Sequence, residues 1–326
     1  MRNAPLWWTI AAIWAAIFVG GAGALRQLQV PFSFAIGAAM VAGAIEASLY
    51  GATGFAGARD WVRGLPRKSL WIAASTLPSY LIYTLATGTF NWRAFVLLIA
   101  LASVTARWYE ILPRGLVTDS GFLLLMACGL LLGLFPFLYP PLSKQLRTEY
   151  IGHIMWLRLS YWVVLTVRNK GDMGFGFIPL RRDWLIGARC VAYCLPVAAV
   201  VLWLVQPMRF KDNLAWSKTA LVVVGTFVGI LWVVALSEEL FFRGMLQPAF
   251  SKLVSNPWVG LVVTSIAFGM VHLSFGGKFP NWRMVLLAGV LGLFCGRAAQ
   301  LAGSIRAGMV THAVVVTLYR VFLTPK

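Results

Sequence analysis

The chain has 326 residues, of which 60% are hydrophobic and 12% charged, with a mean hydropathy of +0.79. Soluble domains average about 45–50% apolar and ~25% charged residues, so a soluble globular fold is excluded. The formal net charge of +18, from 28 Lys and Arg against 10 Asp and Glu, falls mostly in connectors between long apolar stretches, where it suits anionic headgroups and argues against a nucleic-acid partner.

The first apolar run, 5–24, follows Arg2 and ends in small residues. It exceeds the ~7–15-residue core of a secretory signal, so it reads as an uncleaved helix. The second, 33–57, repeats Gly43, Ala47 and Gly51 at four-residue spacing, which lets helices approach closely in lipid. It also carries Glu46, an acid with no evident partner. A protonated carboxyl that hydrogen-bonds a neighbour is the expectation there, although an acid at membrane depth is a functional candidate by default.

Further runs follow at 69–90, 121–139, 184–206, 219–236, 257–275, 284–303 and 307–323. Each is about as long as a bilayer span. Two shorter runs are ambiguous: 94–106 is short for a span, and 151–167 is interrupted by His153 and Arg158. The fold class expected is therefore an all-α, polytopic transmembrane bundle of about nine spans, eleven with the shorter pair. Loops holding Arg59, Arg63, Arg67 and Lys68, and Arg168, Lys170, Arg181 and Arg182, are assigned to the cytoplasm by the positive-inside bias. Tryptophans near span ends, among them Trp7, Trp8, Trp61, Trp203 and Trp282, suit an interfacial belt. Between 169 and 183, Gly171, Gly174, Gly176 and Pro179 break the helical pattern. That break separates an N-terminal scaffold, 1–168, from a C-terminal group of helices, 184–326. Cys128, Cys190, Cys194 and Cys295 lie in apolar runs without C-x-x-C spacing, so they read as core residues and not as disulfides or zinc ligands.

The C-terminal group concentrates its intramembrane polar residues in three places. Glu238 and Glu239 end the 219–236 run and Arg243 follows; adjacent helical residues point about 100° apart, so the two acids have different tasks. Glu239 and Arg243 stand at i and i+4 with the acid first, the favourable order for an ion pair. Glu238 is left free for general-base work on water. Phe268 and His272 share a face at i,i+4 spacing, and His312 lies near the start of the last run.

E-E-x-x-x-R (Glu238, Glu239, Arg243), then F-x-x-x-H (Phe268, His272), then His312 on a later helix resemble the CPBP family of intramembrane proteases, also called the Abi or CAAX-protease family. The resemblance covers about 219–320. It implies an endopeptidase acting on a membrane-associated peptide or protein, in which Glu238 and His272 activate water, Glu239 and Arg243 hold the local structure, and His312 stands beside the developing oxyanion. The family pattern places Asn or Asp four residues beyond the last histidine; here that position is Val316. Thr264, Ser265 and Thr317 are conceivable substitutes, though a membrane Ser or Thr more often bonds back to its own helix. No cofactor is required, the alternative being zinc held by the glutamate and two histidines with water at an open fourth position. A non-catalytic transporter or a pseudoenzyme or immunity protein of the same fold is the competing reading. The setting expected is a cell membrane, specifically a bacterial inner membrane.

Overall fold

The computed structural model describes residues 4–169, 171, 173–205, 208–211, 216–277 and 279–325. About 80% of the chain is helical, and it divides into two compact units, residues 1–171 and 172–326.

The first unit contains α1 (Ala4–Leu28), α2 (Phe34–Ala52), α3 (Ala56–Gly64), α4 (Lys68–Ala74), α5 (Leu77–Ala86), α6 (Trp92–Ile111), α7 (Leu116–Leu131), α8 (Leu134–Leu138) and α9 (Glu149–Trp162), the last running on into a π-helical turn, Val163–Arg168. Polar residues set several starts. The Ser33 hydroxyl accepts from Ile36 N, and the Asn91 amide oxygen from Arg93 N and Ala94 N, pairing amides that the first helical turn leaves without partners. The small-residue face of α2 meets α1 and α9: an added Cβ at Gly51 would sit 3.0 Å from Ile13, and one at Gly43 3.9 Å from Ile151.

Glu46 does have a partner, a buried arginine in addition to the hydrogen-bonding neighbour expected. Arg158 Nε donates to Glu46 Oε2 at 2.5 Å across 112 residues of sequence, with both side chains fully buried. Ser79 donates to the same carboxylate, and Arg158 also donates to the hydroxyl and carbonyl of Ser75. That engagement of Ser75 coincides with the break between α4 and α5, so the apolar run 69–90 is two short helices and not one span. A second buried pair joins Arg168 to Asp119 at 2.6 Å, with Tyr109 donating to the same acid. Arg168 is thus folded inward and is not a loop cation.

The second unit contains α10 (Arg181–Val205), β1 (Met208–Phe210), α11 (Trp216–Gly229), α12 (Leu236–Glu239), α13 (Gln247–Leu253), α14 (Pro257–Met270), α15 (Trp282–Ala302), α16 (Ile305–Phe322) and β2 (Leu323–Pro325). The strands pair antiparallel, Arg209 opposite Thr324. Asn256, Asn281 and Ser304 cap α14, α15 and α16. Helix α15 packs against α10, α14 and α16, and α10 packs against α16. The run 219–236 does not end at the paired glutamates: α11, α12 and α13 are joined by π-helical segments Ile230–Ala235 and Leu240–Leu246 into one 36-residue helix, Lys218–Leu253.

Among the described residues seven helices are long and apolar enough to cross a membrane: Pro5–Leu28, Phe34–Ala52, Trp92–Ile111, Arg181–Val205, Lys218–Leu253, Trp282–Ala302 and Ile305–Phe322. The protein is a multi-pass integral membrane protein. Residues 94–106 belong to a full-length helix after all, while 121–139 and 257–275 correspond to shorter apolar helices. All four cysteines are free; three are buried and Cys128 is exposed, which corrects its reading as a core residue.

Candidate active site

Glu238 and Glu239 occupy one α-turn held between two π-helical segments. Such wider turns are rare and concentrate at functional sites, because they redirect successive side chains without ending the helix. Here they separate the two acids. Glu239 is fully buried, whereas the Glu238 side chain is 28% exposed.

Glu239 Oε1 takes part in two interactions. Arg243 Nη1 lies 3.2 Å away, the ion pair expected from their spacing, and His312 Nδ1 donates to the same oxygen at 3.1 Å. The second contact was not legible in the motif, since it joins residues 73 apart. Arg243 also donates from Nη2 to the Gly292 carbonyl at 3.0 Å, and its guanidinium stacks over the Phe268 ring at 4.4 Å. Phe268 is the hub of the cluster. Its ring centroid lies 5.0 Å from His272, 5.8 Å from His312 and 5.0 Å from Phe242, so one buried aromatic sets the positions of both histidines and the arginine.

His272 lies just past the last residue of α14, not inside the span as expected; its amide bonds Gly269 O as the helix unwinds. Its Nδ1 stands 2.9 Å from Phe268 O. A carbonyl only accepts, so Nδ1 carries the proton and Nε2 of the neutral ring is an acceptor. His312 differs. Its Nδ1 proton is held by a carboxylate, and its Nε2 lies 3.7 Å from Glu238 Oε2.

Glu238, His272, His312 and Phe268 line one cavity of about 390 Å³, whose remaining walls are largely apolar. Val316 lines it too, whereas Thr264, Ser265 and Thr317 are not among the lining residues. Ser265 bonds back to Leu261 O at 2.7 Å. The Thr264 and Thr317 hydroxyls are buried without a hydrogen-bond partner. None of the three stands in for the missing Asn or Asp.

The expected zinc ligands, a glutamate and the two histidines, are not the group that stands nearest together. Among the described residues, the three ligand-type side chains with donor atoms all within 4.8 Å of one another are Glu239, Cys295 and His312; Glu238 and His272 lie outside that group. Cys295 carried no motif signal and sits in the middle of α15. Gly308 on α16 was equally unmarked, yet a Cβ there would lie 2.5 Å from Glu239 Oε2. Only the absence of a side chain lets the carboxylate lie against this helix.

Residues 219–318 match the family model for Rce1-like proteins, described as type II CAAX prenyl endopeptidase Rce1-like. The matched segment lies within the second unit and contains the double glutamate, Arg243, Phe268 and both histidines. The motif resemblance is therefore supported over that segment, and the family is one of proteases. No curated protein and no solved structure matches the chain.

Proposed function

We propose that the second unit is an intramembrane endopeptidase that hydrolyses a peptide bond in a membrane-associated protein or peptide, without a metal step, in a bacterial inner membrane. The observation that carries this reading is the meeting of Glu238, His272 and His312, from three separate elements, at one cavity.

Their hydrogen bonding suggests distinct roles. Glu238, the more exposed acid, accepts a proton from water. His272 Nε2, free to accept because Nδ1 is occupied by Phe268 O, orients the same water. Hydroxide adds to the substrate carbonyl carbon, and the C=O pair moves to oxygen. Protonated His312, its Nδ1–H held by Glu239, presents Nε2–H to that oxyanion, an interaction worth about 2.7–4 kcal/mol in a dry site. The proton held by Glu238 passes to the leaving nitrogen, and the C–N bond breaks.

Purified full-length protein in detergent, given a membrane-anchored peptide with a fluorescent reporter, tests this. Glu238→Ala and His272→Ala should each abolish cleavage while leaving the thermal unfolding midpoint in place. Unchanged cleavage in either variant refutes the mechanism.

Val316 supports a second reading, a non-catalytic protein of the same fold. Valine offers the oxyanion no hydrogen bond where the resembled family has one. If the protein is a slow enzyme, Val316→Asn should raise kcat by about 10²–10³, the value of one well-placed donor. No gain from an undetectable baseline would favour the non-catalytic reading.

A further inference from the structure

Behind His312, on the side away from Glu238, the structure brings together three groups that the hydrolytic scheme uses only in part. Glu239, Cys295 and His312 are all buried and offer a carboxylate oxygen, a thiol sulfur and a ring nitrogen within 4.8 Å of one another. Two further observations mark this as more than a chance cluster. Glu239 Oε2 is buried without a hydrogen-bond partner, since Arg243 and His312 both address Oε1. Gly308 lets that orphaned oxygen lie against α16, since a Cβ there would stand 2.5 Å from Oε2 and 3.1 Å from the Cys295 carbonyl.

We propose that Glu239, Cys295 and His312 form a binding site for a soft divalent cation such as zinc, distinct from the water-activating pair Glu238 and His272. A mixed sulfur, nitrogen and oxygen donor set suits zinc. In a tetrahedral shell the donors would stand about 3.3–3.8 Å apart, so the three groups close by roughly an ångström on binding. Protons and charge balance. Cys295 gives up its thiol proton and protonated His312 its Nδ1 proton, both to solvent, which frees Nδ1 to ligate while Nε2–H stays. Two protons leave as two positive charges enter, so the buried cluster, Arg243 included, keeps its net charge. Arg243 keeps Oε1 while the metal takes Oε2, and a water completes the shell. Binding replaces the Nδ1–H to Glu239 hydrogen bond and so competes with the orientation of His312 described above.

Cobalt(II) added alone to the full-length protein in detergent should produce a thiolate-to-metal charge-transfer band in the near ultraviolet, saturating at one ion per chain. Cys295→Ser should lose the band, whereas Cys128→Ser should keep it. Zinc-loaded wild-type protein should show, by X-ray absorption, one sulfur at about 2.3 Å and lighter donors at ~2.0–2.1 Å; this measurement needs no variant to fold. Absence of the band, its persistence in Cys295→Ser, or a shell without sulfur would each overturn the site. These readouts are independent of proteolysis, so the cation site and the endopeptidase reading fail separately.

Discussion

At the scale of single residues, the site depends on what is missing as much as on what is present. Gly308 has no side chain, and so Glu239 reaches His312 and fixes which ring nitrogen faces the cavity. Gly308→Ala should force the carboxylate to move, at an overpacking cost of about 1–3 kcal/mol. In the peptide-cleavage assay it should lose at least about tenfold in kcat, since misplacing a catalytic group by an ångström costs up to roughly 10²-fold. Equal rates for wild type and variant would show that Glu239 does not set the position of His312. Phe268 is the opposite case, a large side chain that three functional groups lean on. Phe268→Ala removes a buried aromatic worth about 3–5 kcal/mol together with the surface under Arg243, so it should lower the thermal unfolding midpoint as well as activity.

Helices and their breaks show where sequence reading succeeds and where it runs out. The charged and imidazole residues of the second unit stood out because each is costly in an apolar run, and cost is visible without knowing any contact. Partners are another matter. Glu46 looked solitary because Arg158 lies on α9, in a run that the same arginine made look unfit to span; only folding places them together. The break between α4 and α5 was hidden for the same reason, being tied to Arg158 through Ser75. Conversely the long helix through the glutamates was cut short, because polar residues at 237–239 look like a terminus when a π-turn that accommodates them is not considered. Removing one partner of a fully buried ion pair leaves an uncompensated charge and costs about 3–5 kcal/mol. Glu46→Ala should therefore lower the unfolding midpoint of the purified protein by several degrees, more than Asp60→Ala, whose contact with Arg63 is exposed. Similar midpoints for the two would remove the pair from the first unit's stability.

For the molecule as a whole, the helix Lys218–Leu253 raises a question of thickness. Thirty-six residues rise about 50 Å even with its wider turns, against a hydrocarbon layer of about 30 Å. A lean within the usual range of up to about 40° does not absorb the excess. Either its ends therefore reach among the headgroups, where Lys218 and Lys252 are at home, or the surrounding lipid thickens. Glu238 stands some twenty residues from the first of these lysines, beyond the helix midpoint, and a thicker leaflet there lengthens the path by which water travels to it. Reconstitution should reveal this: turnover in vesicles of short-chain lipid should exceed that in long-chain lipid, and indifference to acyl length would mean that the helix adapts without deforming its surroundings.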